Sequence, residues 1–256
     1  MSGGRVSFEA VAGLGLVAAG DDVGRLIADA LATSGAALAD GDVVVIAQKI
    51  ISKAEGRVVV LDEVRPGAEA KALAGEVDKD PRVVELILRE SRRVVRKRPG
   101  VLIVEHRLGF VMANAGLDQS NATPPGEAPR AILLPEAPDE SAARIRDTLR
   151  ELTGAAVGVI ISDSFGRPWR RGTAGVAIGV AGMPVMLDFR GKPDLFGRPL
   201  EVSITGFADE IAAGASLVMG QGGEGLPVVV VRGLAWEGPA ETATDIVRPA
   251  AEDLFR

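Results

Sequence analysis

The spacing of apolar residues divides the chain into stretches that predict strands and helices in turn. Apolar runs, one of them spaced by glycines, predict strands at 5–12, 42–47, 101–105, 109–113, 159–162, 175–182 and 227–233. Apolar helical faces and cap residues predict helices at 23–31, 67–91 in two pieces, 138–152, 207–219 and 242–256. No internal repeat or sharp change of composition interrupts this pattern. We therefore expect one domain over 1–256, with two subdomains as an alternative whose boundary the sequence does not place.

Side chains whose oxygen atoms could bind a metal follow two of the predicted strands. The segment 114–121 contains Asp118 and Ser120, and Asp163 and Ser164 follow the apolar run 159–162. One such loop usually satisfies its own backbone. Two of them, each with an aspartate, supply the carboxylates that a shared divalent cation would need.

Three arginines lie close behind Asp163 in the sequence. Arg167, Arg170 and Arg171 surround Trp169, and guanidinium groups can clamp phosphate or carboxylate oxygens in pairs. The alternative is a strand-to-loop corner whose arginines are solvated or paired with surface acids. Between 163 and 198 there are six Lys or Arg residues against three acids, and we expect the substrate side of the protein there.

Three other segments are candidates for anion or nucleotide binding. A glycine-containing turn at 13–20 precedes a predicted helix, where backbone amides can approach phosphates, although an ordinary turn is the alternative. Lys49 and Lys53 follow the strand at 42–47 and form either a second anion site or a solvated turn. The glycine-rich loop 220–225 can admit a nucleotide base or ribose, and the alternative is a helix C-cap followed by a long turn.

The charge of the chain limits its partners. The net charge is −6, from 29 basic and 35 acidic residues, which argues against general binding to nucleic acid or to an anionic membrane. The basic run at 89–98 has no interleaved aromatic residues, so a solvated face or a dimer rim explains it better than a nucleic-acid patch.

The residue types that are absent narrow the chemistry further. There is no cysteine and only one histidine, His106, which excludes a thiol nucleophile and a zinc site of several histidines within one chain. Oxygen-liganded Mg²⁺ or Mn²⁺ remains the natural metal, and we interpret His106 as structural. The polar start at 1–5 and the lack of an apolar run of roughly 18 residues predict a cytoplasmic protein with no membrane partner.

Four regions together resemble the coenzyme F420-0:γ-glutamyl ligase family. They are 42–56, 113–121, 162–172, and 219–221 with 227–233, and they occur in the family's order along nearly the whole chain. The resemblance implies an α/β fold in the broad sense, that is, an α+β arrangement around a mixed sheet that is particular to this family. It also implies an intertwined homodimer. It also implies a GTP-dependent ligase that joins L-glutamate to coenzyme F420-0 and releases GDP and phosphate. Two Mg²⁺ or Mn²⁺ ions per site are implied, with K⁺ as an optional further cation.

The same resemblance assigns residues by position. Asp118 and Asp163 are similar to the ligands of one metal, and Ser164 and Gln221 to the ligands of a second. The implied GTP site consists of Leu14, Gly15, Leu16, Val17, Gln48, Lys53, Asn121, Met219, Gly220, Gln221, Gly222, Gly223, Glu224, Gly225 and Leu226. Assigning Arg167, Arg170 and Arg171 to the substrate's phosphodiester or carboxylates is our own hypothesis.

Amide formation from a carboxylate requires activation, and transfer of a phosphoryl group from GTP to give an acyl phosphate is the economical route. The chain departs from the family pattern at Ser164, where threonine is common, and at Ala137, where an aspartate is expected. From its length we expect no C-terminal flavin-binding domain. Two alternatives are a related ligase for another carboxylate and a non-catalytic nucleotide-binding module.

Overall fold

A computed structural model describes residues 4–254, and over that range the chain forms twelve strands and six α-helices. The strands are β1 Ser7–Ala10, β2 Val43–Ala47, β3 Val58–Val60, β4 Ser91–Arg98, β5 Val101–His106, β6 Val111–Ala113, β7 Arg130–Ile132, β8 Gly158–Gly166, β9 Thr173–Ala181, β10 Leu187–Asp188, β11 Ile204–Thr205 and β12 Val228–Arg232. The helices are α1 Val23–Ser34, α2 Gln48–Ala54, α3 Ala68–Val77, α4 Pro81–Arg89, α5 Pro138–Thr153 and α6 Phe207–Met219.

A mixed five-stranded sheet in the order β1-β12-β2-β8-β9 forms the centre of the described chain. β2 and β8 are parallel, and the other neighbouring pairs are antiparallel. Residues 43–46 of β2 are fully buried, as a continuous apolar run predicts for a strand covered on both faces. Helices α1, α2 and α5 cover one face and α6 covers the other. The expectation of a mixed α/β protein is therefore confirmed.

Two glycines of β9 allow helices to approach the sheet from opposite sides. A Cβ atom on Gly179 would lie 2.5 Å from the carbonyl carbon of Pro138, at the start of α5. A Cβ atom on Gly175 would lie 2.4 Å from the carbonyl oxygen of Ala212 in α6. The glycine spacing of the predicted strand is thus explained by close packing on both faces of its sheet.

A second apolar cluster lies away from this sheet. Helices α3 and α4 pack against the antiparallel sheet β4-β5-β6 and against β7. Its core includes residues such as Leu61, Val84 and Leu102. The hairpin of β5 and β6 leads from this cluster back to the main sheet. There Met112 joins the apolar core between that sheet and helices α1, α2 and α5.

Four segments differ from the sequence-based expectations. The predicted helix up to residue 91 ends at Arg89, and the basic run beyond it forms β4, in which Val94 pairs with Val104 of β5. Residues 48–54 form α2, so the solvated-turn alternative for that segment is wrong. The short strands β3 and β7 were not predicted, because their three residues each show no recognisable alternation of apolar and polar positions.

The helix expected at 242–256 is also wrong. Within the described residues this region contains two short 3₁₀ turns, Ala243–Ile246 and Ala250–Glu252. Pro249 has no N–H to continue a helix and favours an extended conformation for Arg248, so it separates the two turns. Residues 1–3, part of the polar start at 1–5, and residues 255–256, the end of the predicted helix, lie outside the described range. Over 4–254 no helix has the length and apolar character needed to cross a bilayer.

Candidate functional site

A cavity of about 500 Å³ opens at the edge of the main sheet where β2 and β8 end. At this edge β2 passes directly into α2, and the loop after α6 closes the opposite side. The lining residues are Leu14, Gly15, Leu16, Val17, Ala47, Gln48, Lys49, Ile50, Lys53, Asn121, Ser162, Asp163, Ser164, Gly175, Ser216, Met219, Gly220, Gln221, Gly222, Glu224, Gly225, Leu226 and Pro227. Most residues of the predicted GTP and metal sites are thus brought together. Asp118 and Gly223 are not among the described residues that line the cavity.

Strand β8 presents Asp163 and Ser164 on opposite faces, because side chains alternate along a strand. The Ser164 hydroxyl donates a hydrogen bond of 3.2 Å to Oε1 of Gln221, in the loop after α6. These are the two residues predicted to share a metal. The glycine-rich loop is held further by Nδ2 of Asn121, which donates to the carbonyl oxygen of Gly222 over 3.4 Å.

Lys49 links the second aspartate to the cavity. Its Nζ lies 2.8 Å from Oδ2 of Asp118 and donates to the Ser120 hydroxyl over 2.6 Å. Burial favours the neutral form of Asp118, but hydrogen bonds from Lys49 and Ser120 outweigh it and lower its pKa. Asp118 is therefore held as an anion at the cavity's rim, and a lysine already occupies one side of it.

Asp163 is in a less favourable electrostatic environment. Burial raises its pKa to about 7, and the negative charge of Asp118 acts in the same direction, although the backbone N–H of Ser164 opposes them. A partly buried carboxyl group near a second carboxylate favours the binding of a cation or of a proton.

The oxygen donors fit Mg²⁺ or Mn²⁺. Asp118, Asp163, Ser164 and Gln221 would supply two carboxylates, a hydroxyl and an amide oxygen, all of which are ligands of hard divalent cations. Residues 4–254 contain no group of three or more acidic or histidine side chains arranged to hold a metal. The protein alone would therefore give a partial coordination shell, which is typical of Mg²⁺ sites completed by water and substrate phosphates.

Two residues of α2 complete the polar wall. Lys53 is partly buried, and burial followed by the positive charge of Lys49 lowers its pKa. The Ser52 hydroxyl donates to Oε1 of Gln48 over 2.8 Å, while Nε2 of Gln48 is buried without a hydrogen-bond partner in the described part of the chain. Such a donor in a cavity wall is available to an acceptor atom of a ligand.

The three arginines predicted to contact substrate lie outside this cavity. Arg167, Arg170 and Arg171 are exposed on the loop between β8 and β9, together with Trp169. Within residues 4–254 their guanidinium groups make no ion pair or hydrogen bond. His106 is remote from the cavity and fully buried, with Nε2 3.5 Å from Oε2 of Glu90, which agrees with a structural role.

Lys49 was considered as part of an anion site but is absent from the GTP and metal sites that the family resemblance implies. The sequence did contain an indication of its role, because Lys49 and Lys53 are four residues apart and lie on one face of α2. The partner Ser120 is 71 residues away in sequence, so only the fold shows that Lys49 faces Asp118.

We expect Mg²⁺ or Mn²⁺ to raise the melting temperature of metal-free protein, because the cation would stabilise only the folded arrangement of Asp118 and Asp163. Thermal melts with and without metal measure this shift. The Asp163→Asn variant should lose most of it, whereas Asp147→Asn, which changes an exposed carboxylate of α5, should keep it. An equal shift in both variants would contradict the metal assignment.

Comparisons with known proteins agree on one family. The family model described as F420-0:Gamma-glutamyl ligase matches residues 13–233. The coenzyme F420:L-glutamate ligase of Methanopyrus kandleri is 50% identical over 242 residues, which cover 93% of this chain and 92% of that protein. The proteins of the same name from Methanothermobacter thermautotrophicus and Archaeoglobus fulgidus are 46% and 45% identical, and each alignment covers 98% of this chain and at least 97% of the relative.

Proposed function

The chain belongs to the F420-0:gamma-glutamyl ligase family, and from that premise we propose that it uses GTP and a divalent metal to join L-glutamate to coenzyme F420-0. The observation that carries the proposal is that Asp163, Ser164 and Gln221 line the same cavity as Lys53 and the glycine-rich loop. Carboxylate, hydroxyl, ammonium and backbone groups in one such cavity suit a nucleotide with bound metal.

The cavity offers separate surfaces to the parts of a nucleotide. Glycines of the loop 219–226 allow backbone groups to approach a ligand closely, and Leu14 and Val17 add apolar side chains to the lining. The Lys53 ammonium would offset phosphate charge, and Nε2 of Gln48 would donate a hydrogen bond. We assign GTP rather than ATP from the family alone.

The reaction requires two bond exchanges. A carboxylate oxygen of the acceptor attacks the terminal phosphorus of GTP, the bond to the bridging oxygen breaks, and GDP leaves with that electron pair. The amine of glutamate then attacks the acyl carbon of the resulting acyl phosphate, and inorganic phosphate leaves as the amide forms and the nitrogen loses a proton. When bound, Mg²⁺ or Mn²⁺ supplies neutralisation of phosphate charge and in-line orientation. Asp118 and Asp163 would hold one ion, and Ser164 with Gln221 a second; K⁺ remains an optional addition.

The exposed loop between β8 and β9 supports a role in attracting the acceptor. Arg167, Arg170 and Arg171 lie beyond Asp163 on the same hairpin and have no carboxylate partner in the described residues. We assign them to the phosphodiester or carboxylates of coenzyme F420-0, as positioning residues.

We also propose a homodimer, intertwined as in the family. The segment containing β10 and β11 exposes Leu195, Phe196 and Val202, whose exposed fractions are 99%, 90% and 84%. Exposed apolar residues concentrated in one segment favour an interface. The Leu195→Asp, Phe196→Asp double variant should elute from a calibrated size-exclusion column with light scattering at half the wild-type mass. A wild-type monomer, or an unchanged mass of the variant, would contradict this interface.

The function is tested by an assay with coenzyme F420-0, L-glutamate, GTP and Mn²⁺, with and without K⁺, that follows product mass and released phosphate. We expect a mass gain of one or more glutamyl units that depends on GTP and metal. Phosphate release without glutamylation would indicate a different carboxylate acceptor. Nucleotide binding without either product, in folded and metal-loaded protein, would favour a binding module.

A further inference from the structure

A second cavity of about 270 Å³ lies at the open edge of the main sheet, beside β9. Its walls are largely apolar and come from four parts of the chain: the turn before β6 with the start of that strand, the hairpin of β8 and β9, helix α6, and the segment after residue 245. The lining residues are Gly109, Phe110, Val111, Phe165, Val176, Ala177, Asp209, Ile246, Val247, Arg248 and Asp253.

Asp163 connects the two cavities. It lines the first cavity, and its direct partner across the ladder is Val176, which lines the second. Side chains of a cross-strand pair lie on the same face of a sheet. Phe165, two residues after Asp163, lies on that face as well, and two residues of a strand advance by about 7 Å. The apolar walls of the second cavity therefore begin close to the carboxyl group at which we place the reaction.

We propose that the second cavity binds the fused heteroaromatic ring system of the acceptor, while the acceptor's carboxylate lies beside Asp163 in the first cavity. This inference rests on the proposed function, because it assumes a deazaflavin acceptor with a carboxylate at the end of a flexible linker. It assigns a ring subsite that is separate from the proposed nucleotide and metal site in the first cavity.

The aromatic walls suit a flat, apolar ring. Phe110 and Phe165 contact each other edge to face, with centroids 6.0 Å apart and planes at 73°. A third aromatic ring gains by adding edge-to-face or offset contacts to such a pair. The cavity volume lies near the lower end of the range for small-molecule pockets, about 300 Å³, so one ring system would occupy most of it.

The polar groups of the cavity match the pyrimidinedione edge of a deazaflavin, which carries both a hydrogen-bond donor and carbonyl acceptors. Oδ1 of Asp209 accepts a hydrogen bond of 2.8 Å from the backbone N–H of Ala177, which leaves Oδ2 for a donor on the ring. The guanidinium of Arg248 is a donor without a partner among the described residues and is suited to ring carbonyls. A few polar groups at the margin of an apolar pocket are the usual arrangement for fixing a ligand's orientation.

The test fills the second cavity and leaves the first unchanged. In the Ile246→Trp variant, the larger side chain should exclude the ring and raise KM for coenzyme F420-0 roughly 10- to 100-fold, with KM for GTP unchanged. The matched control is Leu254→Trp, which adds the same indole to the same segment at a side chain that is 90% exposed, and it should behave as wild type.

A second substrate separates ring binding from damage to the reaction centre. A fragment of the acceptor that keeps the phosphodiester and the carboxylate but lacks the ring should be ligated equally by wild type and by Ile246→Trp. Equal loss with the fragment, or an unchanged KM for the full acceptor, would overturn the proposal. The Phe110→Leu variant, which removes an aromatic wall with little change of volume, provides the same comparison if Ile246→Trp does not fold.

Binding measurements distinguish failure of this inference from failure of the proposed function. If wild-type protein ligates no glutamate, the function is wrong, and ring binding can still be followed by the fluorescence of the deazaflavin. Binding by wild type and Leu254→Trp but not by Ile246→Trp would support the subsite. Equal binding by all three, or by none, would overturn it.

Discussion

Replacing Asp163 by asparagine should abolish ligation while the protein stays folded. The substitution keeps the shape of the side chain but removes the carboxylate that Asp163 presents to the cavity at the ends of β2 and β8, and with it the charge available to a cation. A loss of several kcal/mol of transition-state stabilisation is expected, so turnover should fall by at least about a thousandfold. Because burial already disfavours the charged form of Asp163, the neutral asparagine should not reduce the stability of metal-free protein.

The measurement is the rate of GTP-dependent glutamyl addition, together with a thermal melt that shows the fold is intact. Asp147→Asn serves as control, because that carboxylate is exposed on α5 and, within residues 4–254, pairs only with the neighbouring Arg146. Turnover near the wild-type rate in folded Asp163→Asn protein would rule out a metal-binding role for this residue.

The second large effect concerns stability and centres on Glu90. The residue is buried at the end of α4, with Arg57 Nη2 at 2.7 Å, Arg107 Nε at 2.9 Å and His106 Nε2 at 3.5 Å. Removing one member of a buried charge network leaves the others unpaired, which typically costs 3–5 kcal/mol. We expect Glu90→Ala to lower the free energy of unfolding by about 4 kcal/mol, as measured by urea denaturation.

The stability that Glu90 contributes also depends on pH. Burial alone would raise its pKa, but His106, Arg57 and Arg107 together outweigh burial and hold it at about 2. A carboxyl group whose folded pKa lies below its unfolded value stabilises the fold above the unfolded pKa, and this stabilisation is lost as the pH falls through the folded pKa. Wild-type stability should therefore decline between about pH 4.5 and pH 2, and Glu90→Ala should show less of this decline.

Glu76→Ala is the matched control, because Glu76 pairs with Lys97 over 2.6 Å but both side chains are about half exposed. An exposed pair contributes less than about 1 kcal/mol. If the two variants lose equal stability, Glu90 has no special role and the network does not act as a buried charge cluster.

The sequence predicted the parts of the site that depend on local pattern. The runs 159–161 and 43–47 are apolar without interruption, which is the pattern of strands buried on both faces, and they lie in β8 and β2. Because parallel neighbours end at the same edge of a sheet, their exits had to meet once the two strands paired. The spacing of glycines in β9 likewise predicted close packing, although not the identity of the helices concerned.

The remaining features depend on contacts between distant residues, which local pattern does not encode. Nothing near Lys49 in sequence indicates that it faces Asp118. The three arginines follow Asp163 so closely that a common site seemed natural, yet β8 continues to Gly166 and carries them out to an exposed loop. The basic run at 91–98 resembles the surface of a helix, and its pairing with β5 makes it a strand instead.

The order of strands in the main sheet has a consequence for how the protein is made. β12 lies between β1 and β2 and pairs with both, although about 180 residues separate it from β2 in the sequence. While the ribosome is still synthesising the middle of the chain, β1 and β2 lack the strand that joins them, and the apolar edge of β2 is open. The cluster around α3, α4 and β4 to β7 draws all its buried core residues from the continuous stretch 61–133. Local contacts form before distant ones, so this cluster can fold first on the nascent chain. The cavity at the ends of β2 and β8 can be completed only after residue 232 has left the ribosome.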